Sequence, residues 1–66
     1  MNVQERVAKY IQEHGIMQKF IVEKTGFNSV KVSNLLNLRT KMTADEFEMF
    51  CIALNKSPND FINIED

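Results

Sequence analysis

Only two residues, Gly26-Phe27, separate two helix-patterned segments of this chain, and that break constrains the fold more than any other feature. Phe20, Ile21 and Lys24 belong to a short helix that must end near Thr25-Gly26. Asn28 is a good N-cap for the next helix, in which Val32, Leu35 and Leu36 point inward. A connection this short cannot return a helix antiparallel to its predecessor, so the two segments must cross steeply. Gly26 supplies the positive φ that the bend demands, and alanine there costs roughly 1 kcal/mol or more. Phe27, apolar directly after the turn, is expected to plug the angle between the helices. The expected motif is a helix-turn-helix.

The rest of the chain is helical by the same spacing rules. Val3, Val7, Tyr10, Ile11 and His14 trace one face of a first helix, which Gly15 stops with a left-handed residue. Asn37–Met42 is polar and basic, hence a loop. Thr43-Ala44-Asp45-Glu46 fits a capping box, and Phe47, Phe50, Cys51 and Leu54 follow at i, i+3, i+4 and i+7. Ser57 caps a last helical turn with Pro58 at its first position. No segment alternates with period two for long enough to form a strand. The fold class expected is all-α, a compact bundle of five short helices, with residues 1–66 as a single domain.

A chain of 66 residues buries only about 60% of its unfolded surface. With Cys51 alone there is no internal disulfide, and no metal-ligand spacing occurs, so packing must hold the core and dimerisation would help it. The longest apolar run, Met49–Leu54, falls far short of the ~20 residues of a membrane span. The polar N-terminus lacks the apolar stretch of a signal peptide, so a cytoplasmic location is expected. One His, no paired carboxylates with a plausible pocket, no Gly-rich phosphate loop and no Cys/His pair argue against an enzyme, and no cofactor, metal or small-molecule substrate is expected.

Charge is distributed unevenly. Gly15–Met42 holds five cations (Lys19, Lys24, Lys31, Arg39, Lys41) against Glu23 alone. From Thr43 onward Lys56 stands against Asp45, Glu46, Glu48, Asp60, Glu65 and Asp66. The net charge of −1 therefore conceals a basic segment that coincides with the helix-turn-helix, an arrangement suited to phosphates.

The apolar and glycine spacing from Gln18 through Ile21, Val22, Gly26, Val32 and Leu35 resembles the Cro/repressor-type helix-turn-helix family, the XRE-like regulators that include lambdoid phage repressors and Cro proteins. The likeness runs without a gap from about Val7 to Ile62. Gly15-Ile16-Met17-Gln18 matches the family's Gly-apolar-x-Gln opening, Ala53-Leu54 its apolar-Leu with a small residue, and Ser57 to Phe61 its closing Ser-x-x-x-apolar. Departures are Val22 for a small alanine, which Thr25 is expected to offset by being smaller than the usual leucine-like residue; Met17 for a Ser or Thr cap; and Leu36 and Leu38 for Glu and Gly. An apolar Ile11–Leu36 contact can replace the family's ion pair between the first and third helices. Leu38 leaves the conformation of the following loop open.

The resemblance implies a lambda-repressor-like DNA-binding domain: a sequence-specific transcriptional regulator, a small Cro-like repressor of phage or prophage type. Helix 28–36 would enter the major groove of double-stranded DNA, with Ser29, Val30, Ser33 and Asn34 at the bases. Gln18, Lys31, Arg39, Thr40 and Lys41 would meet phosphates, together with backbone N–H groups at the start of helix four, and Gly26 would form the turn. A homodimer on a two-fold symmetric operator would use Met49, Ile52, Ile62 and Ile64. The alternative is a protein-interaction module of the same fold, antitoxin-like or anti-repressor, that does not bind DNA.

Overall fold

The computed structural model describes residues 1–62 and contains five helices: α1 (Val3–Glu13), α2 (Gln18–Thr25), α3 (Ser29–Leu36), α4 (Ala44–Leu54) and α5 (Asn59–Ile62). The order and number agree with the sequence reading, and no strand occurs among the described residues.

The helix starts are set by short polar side chains. Asn2 caps α1 in a reciprocal box, its Oδ1 accepting from the Glu5 N–H while Glu5 Oε1 accepts from the Asn2 N–H, both at 2.8 Å. Thr43 and Glu46 form the expected box on α4. Met17, as its chemistry dictates, makes no side-chain cap for α2. At α5, Ser57 Oγ accepts from the Asn59 N–H and Asp60 Oδ2 accepts from the Ser57 N–H.

The helix ends share a single device. The four positive-φ residues among those described are Gly15, Gly26, Leu38 and Asn55, and they follow α1, α2, α3 and α4 in turn. After α1, α3 and α4 the residue beyond the left-handed one turns its N–H back into the last turn: Ile16 to Ile11, Arg39 to Asn34 and Lys56 to Cys51, at 3.0, 2.8 and 2.9 Å. These bonds close Schellman-type ends and satisfy helix carbonyls that would otherwise lack donors. Leu38 settles the loop conformation: it takes the left-handed φ of 62° itself, in place of the family's glycine.

The core consists of Val7, Ile11, Ile21, Val32, Leu35, Phe50, Cys51, Ala53 and Phe61, so all five helices contribute. Phe50, Ile21 and Val7 are wholly excluded from solvent. Burial holds the Cys51 thiol above its ordinary pKa, consistent with a packing role. Phe27 is half-buried, packs against the core and lies 6.3 Å from Phe50 between ring centroids, filling the angle at the turn. Val22 is accommodated half-buried. Thr25 is buried, its hydroxyl donating to the Ile21 carbonyl at 2.7 Å and accepting from the Phe27 N–H at 3.2 Å. Ile11 belongs to the core and Leu36 is partly buried against that core, so both positions of the family's charged pair are apolar here. His14 is exposed, not part of the inward face; it stacks on Tyr10 at 4.0 Å.

Leu38 is 49% exposed and has little packing to lose. Leu38→Gly is expected to raise stability by about 0.5–1 kcal/mol by relieving left-handed strain. Gly26→Ala, where an added Cβ meets nothing within 4 Å, is expected to lower it by roughly 1–2 kcal/mol through backbone strain alone. Urea midpoints of the two variants should therefore move in opposite directions.

Candidate nucleic-acid interface

The turn at Gly26 (φ 80°, ψ 0°) directs the chain from α2 into α3 with Asn28 as cap, its Oδ1 accepting from the Lys31 N–H at 2.8 Å. Val32 and Leu35 face the core, which turns the rest of the helix outward. Ser29 and Val30 are exposed, Val30 by 68%, and Ser33 and Asn34 are half-buried. Gln18 spans from the start of α2 to α3, its Nε2 donating to the Ser29 carbonyl at 3.1 Å. It thus braces the first turn of α3 while remaining exposed.

Two of the polar groups on α3 are tied to the loop that follows. Arg39 Nη1 donates to Asn34 Oδ1 at 3.3 Å, and Asn37 Nδ2 donates to the Ser33 carbonyl at 2.9 Å and to Ser33 Oγ at 3.3 Å. Arg39, Thr40 and Lys41 are exposed. Val30, Lys31 and Asn34 share with Thr40, Lys41, Thr43 and Glu46 the lining of an open groove of about 500 Å³. Candidate base-facing and phosphate-facing groups therefore border one channel.

Lys31 is less available than its sequence position suggests. Its Nζ lies 2.8 Å from Glu46 Oε2 and 4.6 Å from the centroid of the Phe27 ring. Lys31 and the Thr43 N–H together hold the Glu46 carboxyl below its usual pKa. At the start of α4 the Thr43 and Glu46 N–H groups are occupied within the cap.

The residue that sequence reasoning missed is Gln4. Its Nε2 donates to the Leu35 carbonyl at 2.8 Å and to the Thr40 carbonyl at 2.7 Å, while its Oε1 accepts from the Met42 N–H at 3.0 Å. One side chain on α1 thereby fixes both the end of α3 and the basic loop. A signal did exist: Gln4 precedes Val7 and Ile11 at i+3 and i+7, so a polar residue occupies the inward stripe of α1. Such a residue must find buried partners. Arg6 makes a similar long-range tie, donating to the Phe61 carbonyl at 3.0 Å.

The apolar groups expected at a two-fold contact are dispersed. Met49 is half-buried; Ile52 is 64% and Ile62 52% exposed. Ile62 borders a small cleft with Val3, Met42 and Phe47 at the N-terminal half of α4, whereas Ile52 lies in its C-terminal half. Ile64 lies outside the described residues. Among those described, no helix is long and apolar enough to cross a membrane, and no cluster of His, Cys, Asp and Glu could hold a metal ion.

An all-helical bundle with a glycine-hinged α2–α3 pair and a basic loop behind it defines a helix-turn-helix domain. Residues 6–66 match the Cro/C1-type HTH DNA-binding domain, and the chain belongs to that family. No curated protein and no solved structure matches it significantly. The family expected from the sequence is therefore the family found.

Replacing Gln4 with Met keeps its length and removes its hydrogen bonds. The variant is expected to lose about 1–3 kcal/mol of stability, because the Thr40 carbonyl and the Met42 N–H lose their partner and the Leu35 carbonyl loses one of its donors. In amide-resolved spectra the largest shifts should fall on Thr40–Met42 rather than on α2.

Proposed function

We propose that this DNA-binding domain is a sequence-specific transcriptional regulator, a small Cro-like repressor, that inserts α3 into the major groove. The single observation that carries the reading is the shared groove, where Val30 and Asn34 stand beside Lys31, Thr40 and Lys41. Asn34 suits a bidentate pair of hydrogen bonds to adenine, Val30 a thymine methyl, and Ser29 and Ser33 either role. Gln18, Arg39, Thr40 and Lys41 serve as phosphate contacts that set register, and Lys31 joins them where it is released from Glu46. The hydrogen bond from Arg39 to Asn34 gives a reason for base and backbone contacts to be made together.

Two copies bound to a two-fold symmetric operator would place their α3 helices one DNA turn apart, ~34 Å. Of the residues expected at that pairing, Ile52 and Ile62 are exposed and Met49 is half-buried, with Ile64 further along the chain. Residues 1–66 act as one unit in this reading, working without a cofactor or a small-molecule substrate.

A second reading, an interaction module of the same fold, is favoured by one observation. Ile16, Met17, Phe20, Ala53 and Leu54 line an open groove of about 570 Å³, with Met17 70% exposed. Salt separates the two readings, since a phosphate interface weakens steeply as salt rises and an apolar one hardly responds.

Selection of bound duplexes from random DNA at low salt is expected to enrich one sequence class. On that duplex Asn34→Ala should cost about 1–3 kcal/mol and relax one base position. Lys41→Ala should weaken all duplexes alike and reduce the salt slope by about one. Equal losses for both variants on every sequence would contradict the assignment of α3 as the reading helix.

A further inference from the structure

We propose that Glu46 is a built-in competitor for DNA phosphate, holding the place beside Lys31 that a backbone oxygen would take and so lowering affinity for duplexes of any sequence. The inference deepens the DNA-binding reading and rests on it.

Glu46 uses both oxygens. Oε1 accepts from the Thr43 N–H at 2.9 Å and Oε2 lies 2.8 Å from Lys31 Nζ. A lysine ammonium and a main-chain N–H at the start of an 11-residue helix are the kind of donor pair that holds a phosphate oxygen. The separations fall in the charge-assisted range. The Glu46 side chain is 16% exposed against 43% for Lys31, so the carboxylate is seated while the ammonium reaches over it. Glu46 is also the one anion among the residues lining the groove of Val30, Asn34, Thr40 and Lys41.

Two consequences follow for binding. The charge of Lys31 is already balanced within the protein, so its approach to DNA releases less counterion than a solvated lysine would. Phosphates entering the groove also meet a carboxylate that must be displaced or tolerated. Because the phosphate backbone is the same for every sequence, the penalty applies to all DNA and leaves base reading to α3. In a chain of net charge −1, this keeps adventitious binding low.

Glu46→Gln removes the charge and keeps the cap, since glutamine can still accept from the Thr43 N–H. The variant is expected to bind both a selected duplex and a random-sequence duplex roughly fivefold more tightly at low salt. Its salt slope should steepen by about 0.9. Lys31→Gln should change affinity by less than about twofold in the natural chain but by about fivefold beside Glu46→Gln, because only there is the ammonium released. A thermal melt of each variant separates these shifts from unfolding. Unchanged or weaker binding by Glu46→Gln, or the same cost of Lys31→Gln in both backgrounds, would overturn the inference while leaving DNA binding intact. Absence of binding by the natural chain at low salt would overturn the functional reading and this inference with it.

Discussion

The left-handed backbone at Gly26 is the constraint on which the arrangement depends. With φ at 80° the chain leaves α2 and starts α3 within three residues, so the two helices must share one core. Ile21 from α2 and Val32 and Leu35 from α3 then bury together with Val7, Ile11 and Phe50. Once those positions are inside, the helical repeat leaves Ser29, Val30, Ser33 and Asn34 nearer the surface. Gln18 reinforces the angle from outside through the Ser29 carbonyl, and Phe27 from inside by its contact with the core. The surface proposed to meet a duplex is thus what remains of a packing problem solved on the opposite face.

Electrostatics adds a second layer to this geometry. Five of the eight cations lie along α2, α3 and the following loop, and six of the nine acidic residues follow Thr43. The seam between them is the groove in which Lys31 meets Glu46. Asp45 and Glu46 give α4 an acidic first turn, which its N-terminal dipole favours. The cost is an anion placed beside the cations of the loop. Stability of α4 and attraction to phosphate are in tension at this one side chain.

Much of the fold was legible in the chain because its signals are local. The box at Thr43–Glu46, the cap at Asn28, the glycine stops at Gly15 and Gly26, and the apolar stripe through Phe50 and Cys51 each lie within a few residues of one another. What escaped was either conformationally atypical or distant in sequence. Leu38 takes a backbone state that its side chain disfavours, so no propensity marks it. Asn55 was the easier miss, since asparagine tolerates the left-handed region. Gln4 bonds across 31 to 38 residues, and Lys31 pairs with Glu46 across the loop. Neither partner follows from spacing, although a polar residue on the inward stripe of α1 advertises that a partner exists. The candidate site was legible as a list of side chains on α3 and its loop, but the ties among Asn34, Arg39, Gln4 and Glu46 required the structure.

The central claim, that α3 and its trailing loop form the nucleic-acid surface, is tested most directly by an amide-resolved titration of the protein with a duplex from the selected pool. The account predicts that the largest shifts fall on Gln18, on Ser29–Asn34 and on Arg39–Lys41, while α5 and the C-terminal half of α4 stay still. Shifts concentrated instead on Met17, Phe20 and Leu54, with α3 unmoved, would contradict it and give the apolar groove the functional role.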